Sequence, residues 1–63
     1  MKLQIRDINT AKIITEQTVK INAGKHQAEH LAKLLFQTTS EHKDFVYWVV
    51  VSTDGYTRYR GAF

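Results

Sequence analysis

The alternation of apolar and polar side chains divides the chain into five segments. Leu3 and Ile5 alternate with Lys2, Gln4 and Arg6, the period-two signature of a half-buried strand over residues 2–6. Asp7 to Ala11 gathers Asp, Asn and Thr, residues whose short polar side chains bond their own backbone in turns, and reads as a hairpin loop. Residues 12–21 are rich in Ile, Thr and Val and predict a second strand. On it Ile13, Val19 and Ile21 share the core face, while Lys12, Ile14, Glu16, Thr18 and Lys20 share the other.

The period then changes. Ala28, Leu31, Ala32 and Leu35 recur at i, i+3, i+4 and i+7, the stripe of an amphipathic helix over Lys25 to about Thr38. Asn22 is the expected N-cap, since its amide oxygen can accept from the orphan N–H groups of the first turn. His26, His30, Lys33 and Gln37 fall opposite the stripe, and Glu29 precedes Lys33 by four, the favourable order for a surface pair. Leu34 and Phe36 flank the stripe and are expected to pack at its margins. Thr38 to Asp44 is a polar connection.

Phe45 to Thr53 predicts a third strand, apolar on both faces, and Tyr56 to Arg60 predicts its return. Between them Asp54-Gly55 signals a two-residue type I′ turn, because both residues tolerate positive φ. The order is β-β-α-β-β. The fold class expected is therefore α+β: a single, mostly antiparallel four-stranded sheet with one helix packed on one face, residues 1–63 forming one small domain.

A two-residue turn pairs Thr53 with Tyr56 and sets the faces of the second hairpin. One face carries Val46, Trp48, Val50, Tyr59 and Phe63; it is uncharged and is expected beneath the helix, with Trp48 as a core anchor. The other carries Tyr47, Val49, Val51, Tyr56, Arg58 and Arg60 and is expected to stay open. A one-residue slip would exchange the two faces.

Charge changes the picture here. The chain has nine Lys and Arg against six Asp and Glu, a formal net charge of +3. With the first hairpin added, the open face is expected to hold six of the nine basic residues (Lys2, Arg6, Lys12, Lys20, Arg58 and Arg60), with Glu16 as its carboxylate. Tyrosines set among cations on a sheet suit single-stranded nucleic acid, rings stacking on bases and cations meeting phosphates. The candidate partner-binding residues are Lys2, Arg6, Lys20, Tyr47, Val49, Tyr56, Arg58 and Arg60. Tyr47 and Tyr56 would stack, and the basic residues would meet phosphates.

The same pattern fits two other readings. Apolar side chains ringed by charge also form protein interfaces, as on a small inhibitor or adaptor of the phage or plasmid type docking on an acidic surface of a larger protein, or on a homodimer contact. Strand-favouring Tyr, Val and Arg also simply keep an exposed sheet face wet.

Other chemistry is not expected. A hydrophobic fraction of 43% excludes a disordered chain, and the absence of cysteine excludes disulfides and thiolate metal sites. The longest apolar run, seven residues from Phe45 to Val51, falls far short of the ~20 that cross a bilayer. The alternating N-terminal residues do not resemble a signal peptide, so a cytoplasmic protein without membrane partners is expected. His26-Gln-Ala-Glu29-His30 fits H-x-x-E-H, a zinc-peptidase helix motif. Its histidines lie opposite the apolar stripe, with His42 and Glu41 the nearest candidates for a third ligand. Ser40 and His42 lack a scaffold that would orient a nucleophile. No cofactor site is read, and a non-enzymatic binding protein is expected.

Overall fold

The alternating and branched segments form strands β1 (Lys2–Asp7), β2 (Ile13–Thr18), β3 (Val46–Val51) and β4 (Thr57–Ala62), with helix α1 (Lys25–Thr38) between the second and third. This computed structural model describes residues 1–39 and 44–63. All neighbouring strands run antiparallel in one open sheet, ordered β2-β1-β3-β4. The expected α+β layout is therefore the observed one. The two most buried strands, β1 and β3, take the centre, where both of their edges are paired.

Register defines the faces. Leu3 lies opposite Val50, and Ile5 opposite Trp48; across the next ladder Val50 faces Tyr59 and Trp48 faces Gly61. This is the face that α1 covers. Leu3, Trp48 and Val50 are buried there with Ala28 and Ala32, and Leu31, Leu35, Val19, Ile21 and Tyr59 pack around them. Ala28 and Ala32 are one turn apart and have no bulk, so the helix backbone comes close to the sheet and the Trp48 indole fills the space. Phe63 continues this side beyond β4 and stacks on Phe36 with ring centroids 4.5 Å apart. Leu34, expected at the margin of the helix, is instead exposed.

The second hairpin reaches the expected faces by an unexpected route. Gly55 N–H donates to the Ser52 carbonyl, and Ser52 N–H donates to the Tyr56 carbonyl. The loop thus has three residues, Thr53, Asp54 and Gly55, with Gly55 at φ 89°, rather than the two of a type I′ turn. A longer loop alone would shift every pair by one position and send Arg58 beneath the helix. The register shift between Val50 and Val51 cancels it: Val51 faces Thr57, but Val50 faces Tyr59, so Thr57 and Arg58 together oppose Val51.

The first hairpin repeats the device. The Asp7 carboxylate accepts from Asn9 and Thr10 N–H, Ala11 turns the chain at φ 59°, and a register shift follows between Ile5 and Arg6. This shift corrects the expected faces of β2. Ile13 lies opposite Arg6, on the open side, and is exposed rather than in the core. The strand is also shorter than expected, which leaves Lys12 and Lys20 outside it.

The helix start differs as well. Gly24, not Asn22, is the N-cap residue, and no side chain caps it. Gln27 instead ties the incoming chain to the first turn: its Oε1 accepts from the N–H groups of Asn22 (2.7 Å) and Ala23 (2.8 Å), which precede the helix. No helix of the described residues is long and apolar enough to cross a membrane.

Candidate binding surface

Three rows of side chains cross the face that α1 leaves open. The first is Thr18, Lys2, Val51 and the Thr57–Arg58 bulge. The second is Glu16, Gln4, Val49 and Arg60. The third is Ile13, Arg6, Tyr47 and Ala62. Four cations and one carboxylate occupy these rows. Among the described residues the other four lysines equal the other four carboxylates in formal count, so their excess of cations is that of these rows. Of the six basic residues expected on this face, four lie in its rows. Lys20 is exposed in the connection leading to α1, where its carbonyl receives Gln27 Nε2, and Lys12 precedes β2.

The β2–β1 half of the face is bonded together. Lys2 Nζ donates to Glu16 Oε1 (3.0 Å), and Gln4 Nε2 donates to Glu16 Oε2 (2.8 Å). Arg6 donates through Nε (2.9 Å) and Nη2 to Gln4 Oε1. The chain Lys2–Glu16–Gln4–Arg6 follows directly from register, because Gln4 faces Glu16 across the ladder while Lys2 and Arg6 stand two residues to either side on the same face. It explains how Gln4 is buried on a face open to water: both ends of its amide have partners. The bonds from Lys2 and then Gln4 hold the Glu16 carboxyl below the usual glutamate range.

The β3–β4 half differs. Arg58 and Arg60 are exposed, and among the described residues neither side chain has a hydrogen bond or an ion pair, although the Arg58 charge helps to lower the pKa of Asp54 in the loop. Tyr47 is half-buried between Arg6 on β1 and Ala62 on β4. Val49, expected to touch a partner, is 3% exposed and forms the floor between Gln4 and Arg60. Tyr56, expected beside Tyr47, is 71% exposed but sits opposite Ser52, before β4 begins. Alternation from Thr57 takes it out of the open-face rows. The three-residue loop causes this displacement, so one ring rather than two lies among the arginines.

A hollow of about 440 Å³ opens at the corner of this half, lined by Ile8, Tyr47, Arg60, Gly61 and Ala62. Ala62, which stands opposite Tyr47 on this face, is too small to fill the space beside the ring. Ile8 and Phe45 are both exposed nearby, and Ile8 N–H donates to the Phe45 carbonyl (2.9 Å). Ile8 is exposed within the expected loop, whereas the exposure of Ile13 and Phe45 departs from the pattern, which puts Ile13 on the core face and Phe45 at the start of an apolar strand.

His26 and His30 are exposed on α1, and Lys33 Nζ lies 3.6 Å from Glu29. Among the described residues no three His, Cys, Asp or Glu side chains gather as a metal site. Ser40, Glu41 and His42, named above as further candidates, lie outside the described residues. The chain matches no protein-family model, no curated protein and no solved structure.

Proposed function

We propose that this protein is a non-enzymatic binding protein that takes single-stranded nucleic acid on its open sheet face. The observation that carries the reading is the juxtaposition of Tyr47 with two exposed arginines, Arg58 and Arg60, whose side chains have no hydrogen bond or ion pair among the described residues, on a face where four cations meet one carboxylate. A π-face offers sequence-tolerant stacking worth roughly 1–3 kcal/mol per base, and guanidiniums serve both phosphates and ring faces. A sheet face also suits single strands physically, because a flat surface can take unstacked bases that a duplex keeps inside.

The test is fluorescence anisotropy with labelled DNA and RNA oligonucleotides of about ten nucleotides at low salt. Binding is expected, with a loss of at least tenfold in the Arg58→Ala/Arg60→Ala double variant. Undiminished affinity in that variant would remove the reading. A stoichiometric complex with a protein that survives nuclease, together with no oligonucleotide affinity, would replace it with docking on a larger protein. Ile8 and Phe45 would then be the apolar anchors.

A further inference from the structure

Four cations share the open face, yet they are not equivalent. We infer that the surface is divided. Arg58 and Arg60 are its two phosphate contacts, and Glu16 withholds Lys2 and Arg6 from the bound strand, so that the nucleic acid lies along β3 and β4. The inference rests on the single-strand reading above and concerns how that site is laid out.

The division is built into the ladder. Lys2 spends its charge on Glu16 at 3.0 Å. Arg6 directs Nε and Nη2 at Gln4, whose own amide is bonded to Glu16. A phosphate approaching this half meets a carboxylate that already accepts two hydrogen bonds. To engage Lys2 it must break the pair and leave Glu16 facing another anion. On the other half neither arginine side chain is held in a hydrogen bond or ion pair among the described residues, and Asp54 in the hairpin loop acts on Arg58 only through its charge, without contact. Arg58 and Arg60 stand two residues apart on one side of β4, about 6–7 Å along the strand. That is the scale of neighbouring phosphates on an extended single strand. The hollow beside Tyr47 lies at the end of this arginine row, lined by Arg60 and left open by the small side chain of Ala62. A base laid on Tyr47 therefore puts its own phosphate next to Arg60. The apolar lining from Ile8 and Ala62 suits the ring of a base better than a second charged group.

The count of phosphates can be read from salt. For single strands log Kobs falls with log[salt] at about 0.7 per phosphate neutralised, so two contacts give a slope near −1.4 and four give about −2.8. The experiment measures oligonucleotide anisotropy across a salt series for the full chain and for Lys2→Ala, Arg58→Ala and Glu16→Ala. The expected results are a slope near −1.4 for the parent chain, an unchanged slope for Lys2→Ala and a halved one for Arg58→Ala. Glu16→Ala, by releasing Lys2 and Arg6, should bind more tightly at low salt with a steeper slope. Circular dichroism shows whether that variant keeps its fold; Lys2→Ala, an exposed truncation, tests the division without it. A parent slope near −2.8 that Lys2→Ala reduces would overturn the division while leaving the single-strand reading intact. Absence of binding by every variant would end both.

Discussion

Trp48 and Gly61 face each other across the β3–β4 ladder, and each accounts for the other. The indole is 1% exposed, the largest fully buried side chain, and it lies so close over position 61 that a Cβ there would stand 2.7 Å from its Cζ2 atom. No rotation of a methyl relieves such a contact; the indole or the strand must move. Gly61→Ala is therefore expected to cost about 1–3 kcal/mol, the usual penalty of overpacking, read as a lower urea midpoint with an unchanged m-value. An unaltered midpoint would mean that the indole shifts freely and that the packing is looser than it looks.

At the scale of elements, the β1–β2 hairpin is tied by side chains as well as by its ladder. Glu16 receives Lys2 and Gln4, and its carboxyl is held below its ordinary value of 4.5. A carboxyl whose folded pKa is depressed adds stability that is present above the unfolded value and lost as pH falls through the folded one. Glu16→Gln is thus expected to be less stable than the parent at pH 7, and the gap should narrow as pH drops below 4.5. Urea melts at pH 7, 5, 4 and 3 follow it; a gap constant over that range would show that the ionised carboxylate contributes nothing to the hairpin. Asp54 has the same sign for a different reason. The Ser52 hydroxyl bonds its carboxylate and lowers its pKa, so part of the parent's acid sensitivity persists in the Glu16 variant.

The whole molecule has one layer of sheet, one helix and little redundancy. At about 0.05–0.15 kcal/mol per residue, 63 residues give an unfolding free energy of roughly 3–9 kcal/mol. Removing a buried Trp typically costs about 3–5 kcal/mol, a sum comparable with that total. Trp48→Ala is accordingly expected to be largely unfolded at 25 °C, losing both its sheet signal and any oligonucleotide binding together. A folded Trp48→Ala would place the main source of stability elsewhere. Charge is also distributed at this scale. Among the described strand residues the face beneath the helix is uncharged apart from Asp7 at its end, and the other face carries four cations and one carboxylate. An approaching polyanion is therefore steered to one side of the sheet.

The linear order of residues determined the elements and, through the period of two, which side chains travel together. Leu3 with Ile5, and Trp48 with Val50, were legible as companions because alternation is a property of the extended chain itself. The stripe of Ala28, Leu31, Ala32 and Leu35 was legible for the same kind of reason. Tertiary structure decided the rest. Whether Asp54-Gly55 closes a two- or a three-residue loop depends on how the strands twist against their neighbours, and the compensating bulge at Arg58 has no local signature. Those two shifts cancel over most of β4, so the arginines arrive on the expected face, but not at its tip, so Tyr56 leaves it. The pairing of Lys2, Arg6 and Glu16 likewise required β2 to lie beside β1 in one particular register. Periodicity records which way a side chain points along its own strand; only the packed sheet fixes which side chains stand opposite it, and therefore which charges remain free.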